Sequence, residues 1–78
     1  MVKAVAVTIS REMWEDAEWT RENYAELQRQ YRDMVVAVVD KKVVSYGKDG
    51  IKVREEAMRR TGRKEVYTEF IESGVAIY

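Results

Sequence analysis

The chain has 78 residues, its 14 Lys plus Arg balance 14 Asp plus Glu, and it contains no His, Cys or Pro. Without imidazoles and thiols, histidine acid–base chemistry, thiol nucleophiles and most zinc sites are excluded. A net charge of zero provides no overall field that would attract nucleic acid or an acidic membrane.

Length and composition predict one small domain over residues 1–78. A core of this size supplies only ~3–5 kcal/mol of net stability without a disulfide, a metal or a partner. Because the chain has no Cys, we expect a homo-oligomer, most simply a two-fold dimer. The apolar start at residues 2–7 is interrupted by Lys3 and is too short for a signal peptide or a membrane span. We therefore expect a cytoplasmic protein without membrane contact.

The first part of the chain predicts a strand followed by a long helix. Residues 2–9 alternate in polarity and are rich in Val, which is typical of a strand. Ser10 is a suitable N-cap, and a seam of residues spaced three or four apart then predicts one amphipathic helix over 11–33. The seam comprises Met13, Ala17, Thr20, Tyr24, Leu27, Tyr31 and Met34. Trp19 and Tyr24 could instead staple a new helix that starts at Thr20, but we favour one helix, bent there.

The remaining chain predicts a hairpin, a second helix and further strands. The apolar run 34–39 and residues 43–46 flank Asp40-Lys41-Lys42, which indicates a β-hairpin. Asp49 is a suitable N-cap for a second helix, and Gly62 is suited to its C-terminal end. Residues 65–72 alternate as a strand, and Ser73-Gly74 is expected to turn into a short last strand, 75–78.

These elements give a β-α-β-β-α-β order, which predicts an α+β fold of the ferredoxin-like or a related type. Two helices would pack on one face of a small, mostly antiparallel sheet. In that arrangement the second strand lies at a sheet edge. Residues 35–39 are nevertheless apolar on both faces, as in a central strand or one buried by a dimer.

From Trp19 onward, a Trp, an Asn-Tyr pair and a hairpin occur at fixed offsets. The residues concerned are Trp19, Glu22, Asn23, Tyr24, Glu26, Leu27, Val36, Ala37, Val38, Asp40, Val43, Val44, Gly47, Gly62 and 69–72. Over about three quarters of the chain this pattern resembles a family of short prokaryotic, often archaeal, domains of unknown function. The resemblance implies the order helix, hairpin, helix and strand, and no known activity.

The resemblance also implies a protein partner, because we associate genes of this family with neighbouring genes for small aspartic-protease-like proteins. Two departures from the family pattern concern the hairpin. Members often have Gly in its turn and His before the next Gly, whereas this chain has Lys41 or Lys42 and Tyr46. A role that depends on this His is therefore not expected here.

A cluster of cations lies in and after the second helix, at Lys52, Arg54, Arg59, Arg60, Arg63 and Lys64. With Tyr46 and Tyr67 on predicted strands, it would suit a sheet that stacks nucleic-acid bases beside a phosphate-binding edge. Alternatively, the cations complement the helix dipole and the tyrosines pack against neighbours. Zero net charge and the lack of an RNP-like aromatic motif favour this alternative.

No residue pattern specifies a reaction, so we predict no catalytic, cofactor-binding or metal-binding residues. Glu55 and Glu56 are adjacent on a helix and diverge by about 100°, so they do not form a catalytic pair. The segment Gly47-Lys48-Asp49-Gly50 lacks the spacing of a phosphate-binding loop.

Four residues are candidates for an interface with another chain: Trp19, Val35, Val36 and Val38. Trp19 lies about 120° from the helical seam, and Trp is a favoured interface anchor. The valines belong to the strand that is apolar on both faces. The sequence thus indicates a non-enzymatic protein-interaction module, either a homodimer or a partner-binding subunit, that docks through its sheet or an apolar strand edge. The alternative is a small nucleic-acid-binding protein that uses the basic end of the second helix.

Overall fold

A computed structural model of the chain describes residues 10–73, which form a three-stranded antiparallel sheet between two helical layers. The predicted strands 2–9 and 75–78 lie outside the described residues. In chain order the elements are α1 (Arg11–Glu22), α2 (Tyr24–Tyr31), β1 (Met34–Val38), β2 (Val43–Gly47), α3 (Gly50–Thr61) and β3 (Tyr67–Ile71).

The predicted long helix is divided into α1 and α2 at Asn23 and not at Thr20. Ser10 is the N-cap as predicted, and its Oγ accepts a hydrogen bond from Met13 N at 3.2 Å. Thr20 is fully buried within α1, where its Oγ1 donates to Asp16 O at 2.7 Å. Asn23 interrupts the helix because its side chain also donates to a backbone carbonyl, Trp19 O, at 2.9 Å. The favoured prediction of one continuous helix over 11–33 is therefore corrected, and the alternative of a new helix starting at Thr20 is also wrong.

The hairpin between β1 and β2 has a tight two-residue turn. Val39 and Lys42 exchange backbone hydrogen bonds of 3.0 and 3.3 Å, and Asp40 and Lys41 between them have φ values of 55° and 61°. Positive φ at both central residues defines a type I′ turn, which matches the twist of the paired strands. Lys41 thus occupies a left-handed position that favours Gly.

Lys41→Gly is expected to raise the free energy of unfolding by about 1 kcal/mol, because it removes the steric cost of Cβ in the left-handed conformation. Chemical denaturation measures the change. Lys42→Gly is the matched control, since Lys42 has no positive φ, and it is expected to lower stability. Equal effects of the two substitutions would contradict the assigned turn.

Helix α3 begins and ends at the predicted residues. Asp49 Oδ1 accepts hydrogen bonds from Ile51 N at 3.0 Å and Lys52 N at 3.3 Å. Gly62, with φ of 76°, follows the last turn, and its N donates to Met58 O at 2.8 Å. The chain then returns as β3 alongside β1.

The sheet order is β2-β1-β3, so β1 is the central strand and pairs with both neighbours in antiparallel register. This explains why β1 is apolar on both faces. Val36 and Val38 pack with Leu27 of α2 and Ile71 of β3. Ala37 and the following Val39 pack on the other face against α3.

Two fold predictions are therefore corrected. The helices do not share one face, because α3 covers one face of the sheet and α1 with α2 cover the other. The strand 34–38 is not at the edge that a ferredoxin-like arrangement gives it. The α+β class and the antiparallel sheet are confirmed. One reason for expecting a dimer also disappears, because the chain's own helices cover both faces of β1.

Candidate docking surface

Strand β3 borders a groove that the chain's own helices leave open. Helix α3 packs mainly over β2 and β1, so the α3 side of β3 is poorly covered. Phe70 on β3 is 51% exposed and Ile51 in the first turn of α3 is 71% exposed. Both line an open groove of about 760 Å³ together with Val35 and Thr68. We call this surface the Phe70 groove.

The rim of the Phe70 groove carries charges of both signs. Its cations are Lys48 and Arg54, neither of which forms an ion pair with a residue in the range 10–73. Its anion is Asp49, which caps α3. The Glu69 carboxylate lies on the other face of the sheet, where it accepts a hydrogen bond from the Tyr67 hydroxyl. An apolar floor within a polar rim is the usual anatomy of a protein interface.

The outer side of β3 is available for pairing among the described residues, because β3 is an edge strand of their sheet. Asp33 N donates to Ile71 O at 2.7 Å, so the Ile71 carbonyl points towards the β1 side. Backbone groups alternate along a strand, so those of Thr68 and Phe70 point outward. At the opposite edge, by contrast, the carbonyl of Val44 in β2 accepts a hydrogen bond from Arg60 Nη1 at 2.9 Å.

The structure places the four predicted interface residues differently from one another. Val36 and Val38 have no exposed surface, so they are not available to a partner of the folded chain, and that prediction is corrected. Val35 is half-buried and lines the Phe70 groove. Trp19 is half-buried on the other side of the sheet, against the cluster around Leu27.

Neither Phe70 nor Ile51 is among the interface residues that the sequence predicts. A signal was present for Ile51, because it is apolar but lies about 160° around α3 from the buried Val53. No comparable signal marks Phe70. It and its neighbour Ile71 are both apolar, so the strand pattern does not show that Ile71 is the buried one and Phe70 the exposed one.

Trp19→Ala is expected to lower the free energy of unfolding by roughly 1–3 kcal/mol, because the ring covers the Leu27 cluster. We expect no change in association, since Trp19 lies on the opposite side of the sheet from the Phe70 groove. Denaturation and sedimentation of this one variant measure both quantities. Weaker association with an unchanged unfolding midpoint would show instead that Trp19 anchors an interface.

The predicted nucleic-acid residues are only partly brought together. Lys52, Arg60 and Tyr46 line a hollow along β2 that also contains Glu56, and Glu56 forms ion pairs with both Arg59 and Arg60. Three other members of the set lie elsewhere. Arg63 pairs with Asp40 at 2.9 Å, Lys64 is exposed after α3, and Tyr67 is on the opposite edge strand. Within residues 10–73 helices cover most of both faces of the sheet, which leaves little open surface for stacking bases.

The tyrosines of the sheet have their own neighbours on the side of α1 and α2. The Tyr46 ring lies 5.0 Å from the Tyr31 ring, centroid to centroid. Burial raises the pKa of the Tyr67 hydroxyl from 10.0 to about 12, and its hydrogen bond to Glu69 contributes in the same direction. Folding thus favours the neutral form of Tyr67.

Tyr67→Phe is expected to reduce the loss of stability at alkaline pH. In wild type, the stability linked to the Tyr67 proton is fully present below pH 10, because both states are then protonated. This contribution to stability declines from pH 10 towards pH 12, because the Tyr67 hydroxyl ionises in this range in the unfolded chain but stays largely neutral in the folded chain. Urea denaturation of both proteins across this range measures the difference. Parallel curves would contradict the raised pKa.

In residues 10–73 no group of three or more Asp and Glu side chains is arranged to hold a metal ion. Over the same residues, none of the helices has the length and apolar character needed to cross a membrane.

Comparison with known proteins assigns the chain to a family of unknown function, DUF5678, whose match covers residues 26–74. The chain belongs to this family, which confirms the resemblance to domains of unknown function. The match includes the hairpin, α3, β3 and the Phe70 groove, whereas α1 with Trp19 and Asp16 lies outside it. No curated protein and no solved structure matches the chain.

Proposed function

We propose that the protein is a non-enzymatic protein-interaction module that binds a polypeptide through the Phe70 groove. The observation that carries this proposal is the exposure of Phe70 and Ile51 in one groove beside an edge strand. Exposed apolar surface within a charged rim is characteristic of interaction sites. An edge strand adds a second means of recognition, because a partner can extend the sheet through backbone hydrogen bonds.

The proposal is tested by purifying the tagged 78-residue chain from its native cells. We expect any polypeptide bound in stoichiometric amount, including a second copy of the chain, to be lost with Ile51→Glu. This substitution should preserve the fold, because Ile51 is mostly exposed and a carboxylate in the first helical turn complements the helix dipole.

Trp14→Glu is the matched control, because Trp14 is also a large apolar residue on a helix and is 53% exposed, but it does not line the groove. It is expected to leave binding unchanged. Retention of the same polypeptide by Ile51→Glu would contradict the proposal. So would the absence of any bound polypeptide.

A nucleic-acid-binding role is the alternative, favoured only by the hollow that contains Lys52, Arg60 and Tyr46. Glu56 in the same hollow opposes it, since this carboxylate partly neutralises the cations. Titration of a random oligonucleotide at low and moderate salt separates the two functions. A steep dependence of affinity on salt is expected only from phosphate binding.

A further inference from the structure

We propose that the polypeptide bound in the Phe70 groove is a second copy of this chain. The two β3 strands would pair antiparallel about a two-fold axis and join the two sheets into one continuous sheet. This inference rests on the proposed function and specifies its partner.

The charges on the rim of the Phe70 groove support a second copy as the partner. Lys48 and Arg54 share the rim with Asp49, so the rim carries both signs of charge. A two-fold axis brings the same surface of both copies together, and a surface with both signs can be complementary to itself. A strongly acidic or a strongly basic partner would face repulsion from part of this rim.

The backbone of β3 supports antiparallel pairing centred on Phe70. Its N–H and C=O point outward, so two copies can exchange both hydrogen bonds at this residue. The next outward residue, Glu72, already donates its N–H to the Tyr24 hydroxyl at 3.0 Å, which limits pairing beyond Phe70.

The register centred on Phe70 also brings the exposed Phe70 side chains of the two copies into favourable contact. Both Phe70 rings would lie side by side next to the axis, on the faces that carry α3, and shield each other from water. Glu69 would lie opposite the partner's Ile71. A register shifted by two residues, with the two-fold axis at Glu69, would place two Glu69 carboxylates opposite each other, which is unfavourable.

The small core supplies a further reason for association. The buried apolar residues in the range 10–73 are mostly Val and Ala, with only Leu27 and Ile71 larger. A domain with little apolar volume gains stability when it buries further surface in an oligomer. Phe70 and Ile51 are among the largest apolar side chains that remain exposed.

Sedimentation equilibrium of the 78-residue chain at micromolar concentrations tests the dimer. We expect wild type and Trp14→Glu to be dimers, and Ile51→Glu to dissociate at least about tenfold more readily. Circular dichroism checks that Ile51→Glu remains folded.

Each other outcome overturns the inference in a distinguishable way. A monomeric wild type excludes the second copy, but another polypeptide that co-purifies and depends on Ile51 would still support the proposed function. A dimer unaffected by Ile51→Glu excludes the Phe70 groove as its interface. If that variant also retains every bound polypeptide from native cells, the proposed function fails as well.

A single introduced cysteine tests the register, because the chain contains no Cys of its own. Directly opposite residues of an antiparallel pair have Cα atoms about 5.5 Å apart, within the range of a disulfide. We expect Phe70→Cys to form a covalent dimer under mild oxidation. Tyr46→Cys, an exposed position on the other edge strand, is the control and should remain uncross-linked. Cross-linking of the control alone would place the interface at β2 and overturn the inference.

Discussion

Leu27→Ala is expected to lower the free energy of unfolding by about 2–5 kcal/mol and to leave little folded protein. Leu27 is only 4% exposed and packs in one cluster with Val36, Val38 and Ile71. It is the buried residue of α2 in that cluster, and the β-branched strand residues cannot readily move into the cavity. Urea denaturation followed by circular dichroism measures the change.

The control for Leu27→Ala is Trp14→Ala, which removes a larger apolar side chain from a half-exposed position on α1. We expect this control to change stability by less than about 1 kcal/mol. A similarly small effect of Leu27→Ala would mean that α2 does not pack on the sheet as described.

Asp16→Ala is expected to lower the free energy of unfolding by about 2 kcal/mol. The Asp16 side chain is buried at 3% exposure, and its Oδ1 accepts a hydrogen bond from Lys41 N at 2.8 Å. This bond joins the first half of α1 to the hairpin turn, 25 residues later in the chain. Removing the carboxylate leaves the Lys41 N–H without its acceptor and the turn without its contact to α1.

Asp16→Asn is the matched control, because its amide oxygen can still accept the hydrogen bond from Lys41 N. It should retain most of the stability that Asp16→Ala loses. Amide exchange at Lys41 provides a local measure, and we expect faster exchange in the Ala variant only. An equal loss of stability in both variants would show that the charge, rather than the hydrogen bond, is what matters.

Several local features could be predicted because they depend on residues close together in the chain. Ser10 and Asp49 have side-chain oxygens that accept from backbone N–H groups within the next three residues. Gly62 is the residue type best able to adopt the left-handed conformation that ends α3. The hairpin turn lies between two β-branched runs. The positions of these elements were therefore predicted from sequence.

The break in the first helix and the burial of Asp16 were less accessible to sequence reasoning. An Asn and a Thr are both compatible with a helix break, and the observed break depends on the Asn23 side chain finding Trp19 O. Asp16 in the first half of α1 resembles an ordinary exposed carboxylate. It is buried because the Lys41 N–H of a distant turn supplies a hydrogen bond.

By itself, the sequence determined the helical segments apart from the break at Asn23, the hairpin, the end of α3 and the α+β class, since caps, turns and periodicity act over a few residues. Only the tertiary structure decided which faces the helices cover. An apolar strand such as β1 is compatible with burial by a dimer or by two helical layers, and the chain uses its own helices. The position of α3 on the sheet also created the Phe70 groove. Helix α3 lies over β2 and β1, so Phe70 remains exposed while its neighbour Ile71 is buried under the other layer.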